Sequence, residues 1–280
     1  MSRRFRVFPR YRVDKAGSAL AARRVVVLAF AATLAASAAV AARGEVVQQG
    51  DLRVAVTGEL SPRRLPRHGT APIAVAVGGK ISTADDSLPP ALRTLRIELN
   101  RHGRLDTTGL PRCRASQIQP ASTARALRAC RPALVGRGSF SVDVVLAGQA
   151  PYPTKGRLLV FNGAYRGKPA LLGQIYSAHP FANSFVVPFL LRRGGRGRYG
   201  TALTATLPRA LTSWGHVTGL QMRLARRYSY RGARRSLISA GCPAPKGFPG
   251  AIFALARAEF RFAGGRELSA TLTRACRARG

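Results

Sequence analysis

Four cysteines, Cys113, Cys130, Cys242 and Cys276, are the side chains whose type and number point most directly to chemistry. No two stand in C-x-x-C spacing and no histidine is close to any of them in sequence, so zinc ligation and thioredoxin-like exchange are poor readings. An even number of cysteines in an exported chain implies disulfides, with three possible connectivities. Proximity along the chain favours Cys113 with Cys130 and Cys242 with Cys276. Cys242 lies in SAGCPAPKGFPGAIF, Ser239 to Phe253, among prolines and glycines. Such a stretch is either a reactive loop or a corner stapled by a disulfide, and the pairing decides between them.

Acid–base work needs a paired or environment-tuned carboxylate. Asp85 and Asp86, in STADDSLPP, are the only adjacent acids, and their place before two prolines reads first as a turn. The histidines, His68, His102, His179 and His216, are dispersed. A secreted hydrolase with a site assembled from Asp85, Asp86 and His102 is therefore the alternative to a protein without catalysis. No G-x-S-x-G elbow supplies a nucleophile. The glycine-rich RRGGRGRYG, Arg192 to Gly200, lacks the lysine and the trailing Ser/Thr of a phosphate loop and reads as a basic hairpin tip. No cofactor motif is present.

A second basic stretch, RLARRYSYRGARR, interleaves tyrosine with arginine, as surfaces that stack rings and hold phosphates do. It fits equally a strand with an arginine outer face and Tyr228 and Tyr230 over a core edge. Together the two stretches nominate Arg192, Arg193, Arg196, Arg198, Arg223, Arg226, Arg227, Arg231, Arg234 and Arg235 as contacts to an anionic surface, a cell-wall polymer or a membrane. Extracellular nucleic-acid binding rests on charge alone and is disfavoured, because the basic residues fall in no known binding motif.

These side chains must be held by strands. From Leu52 onward, short apolar stretches alternate with glycine and proline, which is the pattern of an all-β fold, expected as a mainly antiparallel β-sandwich. One short helix is expected in QPASTARALRACRP, with Ser122 or Gln119 as cap, Pro132 as its end, and Leu127 and Cys130 on its inner face. A Cys113–Cys130 bond would pin it. In AIFALARAEFRF the even positions from Ala254 to Phe262 are apolar, while Arg257, Glu259 and Arg261 face out. A three-residue loop, Ala263-Gly264-Gly265, then sets Phe260 against Leu268, Ala258 against Ala270 and Ala256 against Leu272. That register puts Cys276 opposite Ile252, beside the Cys242 loop.

Residues 1–42 carry eight basic side chains and one acidic one and end in the apolar run Val25 to Ala42. A basic segment, an apolar segment and small residues near Ala41 form a secretory signal peptide, or a membrane anchor if it is never cut. The expected domains are 1–42 signal, 43–70 an N-terminal extension with a first strand, and 71–280 a single β-sandwich domain. With +7 of the chain's formal +35 in the leader, the exported part keeps about +28, a field that favours anionic partners. All but five of the 46 basic residues are arginine, as GC-rich codons supply.

With GLPRC, QPASTARALRAC, GRLLVFNG, VTGL and SAGCPAPKGFPGAIFALARAEFRF in view, the chain resembles a group of uncharacterised exported proteins of high-GC Gram-positive bacteria, from about Gly79 to Arg277. The resemblance implies a signal peptide and a cysteine-containing extracellular domain, and brings no activity, cofactor or site residue with it.

Overall fold

The computed structural model describes residues 44–179, 181–194 and 197–279. The expected signal peptide, 1–42, lies outside the described residues. In chain order the strands are β1 (Glu45–Gln49), β2 (Leu52–Ser61), β3 (Arg64–Pro66), β4 (Ala71–Pro72), β5 (Ala74–Thr83), β6 (Leu92–Asn100), β7 (Gly103–Leu105), β8 (Leu134–Val144), β9 (Tyr152–Tyr165) and β10 (Lys168–Ser177). They continue as β11 (Asn183–Arg193), β12 (Tyr199–Thr206), β13 (Gly215–Leu224), β14 (Arg227–Tyr230), β15 (Ala233–Ser236), β16 (Ile238–Ala240), β17 (Gly250–Phe262) and β18 (Glu267–Arg279). Short helices α1 (Ala115–Ile118) and α2 (Thr123–Cys130) precede β8, and α3 (Arg209–Thr212) precedes β13.

Thirteen strands form one sheet in the order β1-β2-β5-β13-β8-β9-β10-β11-β12-β6-β17-β18-β3, antiparallel except for the last pair. The strand pattern suggested two packed sheets; the ladders instead run unbroken, and the sheet curls until its ends meet. Strand twist makes a flat sheet of this width unfavourable. β18 lies against β1 and β2, joined by side chains. The Glu45 carboxylate accepts from the Thr273 N–H, Arg274 Nε donates to the Gly58 carbonyl, and Arg266 donates to the Gln49 carbonyl.

Period-two alternation assigns the faces. Leu95, Phe260, Leu268, Ala270 and Leu272 are buried inside, while Arg96, Glu98, Arg257 and Glu259 share the outer face of β6 and β17. There Glu98 accepts from Arg257 at 2.6 and 3.0 Å and from Arg96 at 2.6 Å. On β9 and β10 both faces are covered, which explains the continuous apolar runs RLLVF and ALLG. Leu158 and Val160 belong to the inner cluster, whereas Leu159, Phe161 and Leu172 pack under the excursion that carries α1 and α2.

That excursion is fastened by polar side chains and a disulfide. Asn162 donates to the carbonyls of Leu110 and Pro111, Gln174 donates to Ala121, and Gln119 accepts from the Val186 N–H. Ser122 caps α2 by accepting from the Arg125 N–H. The inner face of α2 is Thr123, Ala126 and Cys130, with Leu127 only half-buried. Leu127 packs at the edge of the cluster that holds Cys130, as expected, while the most buried stripe runs through Ala126.

Both disulfides, Cys113–Cys130 and Cys242–Cys276, form as the spacing suggested. Phe260 faces Leu268, Ala258 faces Ala270 and Ala256 faces Leu272, in the expected register. A bulge between Ala254 and Ala256 then shifts the pairing by one, so Cys276 lies opposite Ala251 rather than Ile252. The extra residue turns Phe253 and Leu255 inward and leaves Ile252 exposed.

The antiparallel order separates two ends of the sheet. One, the turn end, holds the connections β1–β2, β5–β6, β8–β9, β10–β11, β12–β13 and β17–β18. The other, the loop end, holds both disulfides, the small sheet of β4, β16 and β7, and the β14–β15 hairpin. Closing the 34-residue separation between Cys242 and Cys276 is worth about 4 kcal/mol by chain entropy. Replacing both with serine should therefore lower unfolding free energy by several kcal/mol in denaturant titration, and an unchanged midpoint would contradict the staple.

Candidate functional site

Inside the curl the side chains pack into one cluster but leave part of the space unfilled. A cavity of about 140 Å3 is lined by residues from strands all around the sheet, among them Val77, Ile97, Phe140, Ile175, Phe189 and Leu220. Its lining is apolar throughout. Small residues at lining positions, Gly79, Ala256, Ala258 and Ala270, leave the space that larger ones would fill. Val77, Ile97, Phe189 and Leu220 remain only half-buried although they line the interior. A Cβ on Gly79 would meet nothing nearer than the Ala55 carbonyl at 4.0 Å.

At the turn end a second cavity of about 30 Å3, termed the vestibule, shares Phe140, Val142, Ile175 and Leu211 of its lining with the first. Trp214 stands there with Phe185 at 5.7 Å and Phe181 at 6.0 Å between ring centroids. α3 and the Trp214 turn are held by the Arg93 guanidinium, which donates to Thr212 at 2.7 Å, and by the Trp214 carbonyl, which accepts from the Val145 N–H. Thr154, Ser177, His179 and Asn183 supply the few polar groups of the vestibule. An apolar pocket with sparse polar groups at its mouth is the usual form of a small-molecule site. No local pattern signals it, because each small residue sits in an ordinary strand pattern.

The nominated arginines collect at the loop end. Arg192, Arg193 and Arg198 belong to the β11–β12 hairpin, Arg226, Arg227, Arg231, Arg234 and Arg235 to the β14–β15 hairpin and its approach, and Arg223 to the end of β13. Arg196 lies outside the described residues. Asp106, the only carboxylate between Glu98 and Asp143, ties the hairpins together: it pairs with Arg235 at 3.2 Å and Arg193 at 3.7 Å. Burial disfavours its charge, but hydrogen bonds from Thr108 and the charges of Arg104 and Arg193 outweigh this and lower its pKa. Arg235 is thus committed to a structural pair and half-buried, Arg226 is half-buried, and Arg192, Arg193, Arg198, Arg223, Arg227, Arg231 and Arg234 are exposed. Tyr228 donates to the Thr108 carbonyl at 2.8 Å, and the Tyr230 ring packs against Gly109 and under Arg231 and Arg235. The tyrosines therefore buttress this corner.

The carboxylates and histidine of the hydrolase alternative are not brought together. Asp85 accepts from the Ser87 N–H and hydroxyl in a turn at the turn end, with Asp86 beside it at φ 57°. His102 follows β6 at the opposite end. His216 holds the chain before β6 through a 2.6 Å contact between Nδ1 and the Pro89 carbonyl. Among the described residues no three His, Cys, Asp or Glu side chains group as a metal site needs. No family model, no curated protein and no solved structure matches the chain.

Because its folded pKa lies below the ordinary carboxylate value, Asp106 contributes stability that is complete above about pH 4 and is lost as pH falls through the folded value. Melting temperature followed from neutral pH to strongly acid should fall less steeply in Asp106→Asn than in the parent. Parallel curves would remove Asp106 from the role of hub.

Proposed function

We propose that the protein is an exported binding module that holds an apolar molecule inside its curled sheet and meets an anionic cell-envelope surface with its arginine-rich end. The first part is carried by the cavity. Water has no polar partners in such a space, and an engineered apolar cavity of about 150 Å3 stays dry and takes up benzene. In this reading the two halves of the curled sheet face each other as the layers of a flattened, sandwich-like container.

Size and chemistry narrow the ligand. At about 0.8 kcal/mol per buried methylene, roughly six methylenes in the cavity contribute about 5 kcal/mol before ordering costs. The rest of the molecule lies in the vestibule along Trp214 and Phe185, with a small polar head near His179 and Asn183. A single-chain amphiphile fits this division. The second part rests on the exposed arginines of the two hairpins and on Arg223, which pairs directly with Arg137 across β13 and β8. Like charges placed so are unfavourable in a sheet and are relieved by an anion. The two disulfides suit an oxidising, extracellular setting.

Trp214 is the only tryptophan, so its fluorescence reports on the vestibule. Titration with a brominated fatty acid should give saturable quenching. Gly79→Leu and Ala258→Leu, which fill the cavity, should weaken it at least tenfold with little change in melting temperature. Quenching that is absent or never saturates contradicts the apolar site. Retention on anionic vesicles or purified cell wall should fall steeply with salt; salt-independent retention contradicts the arginine contact.

A further inference from the structure

The prolines and glycines after Cys242 build a rigid prong at the loop end. Pro245, Lys246, Gly247 and Phe248 form a turn in which the Phe248 N–H donates to the Pro245 carbonyl at 3.1 Å. Gly247 supplies the positive φ of 88° that the third position of a type II turn requires. The Arg67 guanidinium donates to the Ala244 carbonyl at 3.0 Å and to the carbonyls of Pro245 and Phe248. The Ala278 N–H closes the far side on the Pro249 carbonyl, and the Cys242–Cys276 bond closes the base. All this bracing presents two large apolar side chains to solvent: Phe248 is 61% exposed and Ile252 77%.

The surroundings have one sign of charge. Segments 61–69, 100–105, 241–254 and 274–279 meet here, as the Arg277 N–H donates to the Arg63 carbonyl and the Gly241 N–H to the His102 carbonyl. They contain no carboxylate, and Arg63, Arg64, Arg101, Lys246 and Arg277 are exposed among them. Beside Ile252, an open depression of about 360 Å3 is lined by Arg101, His102, Arg198 and Pro243.

We propose that the β16–β17 loop is a membrane prong: Phe248 and Ile252 enter the acyl boundary of an anionic lipid bilayer while the surrounding basic side chains hold its phosphates. This rests on the anionic-surface part of the proposed function and names the bilayer as the partner, since exposed apolar side chains gain nothing on a hydrophilic wall polymer. Apolar contact and basic charge together give interfacial binding that neither gives alone. Arg67 satisfies the loop carbonyls that would otherwise face hydrocarbon unpaired. Docking by this end leaves the Trp214 vestibule, at the opposite end, turned away from the bilayer.

The test uses the full chain with Trp214→Phe and Phe248→Trp, mixed with vesicles of phosphatidylglycerol and phosphatidylcholine whose acyl chains carry bromine. The introduced indole should shift to the blue and lose at least half of its emission, with no change on vesicles of phosphatidylcholine alone. Phe248→Ser combined with Ile252→Ser should reduce partitioning to the anionic vesicles at least tenfold at an unchanged melting temperature. Binding to anionic vesicles with an unquenched indole overturns insertion and leaves the electrostatic contact standing. Absence of binding to them overturns both.

Discussion

Strand number sets the width of a curled sheet, and about eight strands enclose an interior that side chains just fill. Here thirteen strands share one sheet, and several inward positions hold glycine or alanine. The interior is consequently wider than its filling. Larger residues at Gly79, Ala258 and Ala270 would fill the same topology into a solid core. Close packing is the rule in protein interiors, and each unfilled volume forfeits dispersion contacts. A sheet that tolerates this loss must recover stability elsewhere, and it does so outside the curl. The Glu98–Arg257 pair on the outer face, the doubly covered β9 and β10, and the two disulfides all lie away from the cavity.

Antiparallel order also divides the molecule's charge. The turn end carries Asp51, Asp85, Asp86, Asp143 and Glu267 beside short connections. The loop end gathers the long excursions, and with them the arginine hairpins and the basic segments around Phe248. Asp106 keeps those hairpins together by taking two of their guanidinium groups. The smaller Trp214 cavity and the arginine hairpins are thus separated by the length of the strands, and the proposed ligand site and the proposed anionic contact fall at opposite ends.

Much of this was legible in the residues. Leu92–Asn100 reads as a strand at the boundaries it has, and the AIFALARAEFRF and RELSATLTRAC faces determine the hairpin register. Cysteine proximity with that register pairs all four cysteines correctly. The error of one residue at Cys276 arises at Ala254-Leu255-Ala256, where consecutive apolar side chains satisfy either face and hide the bulge. β1, β3 and β7 carry no strand pattern of their own, because EVVQQ is mostly polar and the other two are three residues long. The cavity left no local trace. An unfilled interior is a sum over side chains from ten or so strands, and glycine in one strand signals a bulge or a close approach as readily as missing volume.

That the interior is a ligand site is tested most directly by native mass spectrometry of the protein purified without detergent. The account predicts an apolar molecule bound at no more than one per chain, removable by solvent extraction and missing from Gly79→Leu and Ala258→Leu. A parent protein that emerges empty and stays empty after incubation with excess single-chain amphiphile would contradict it.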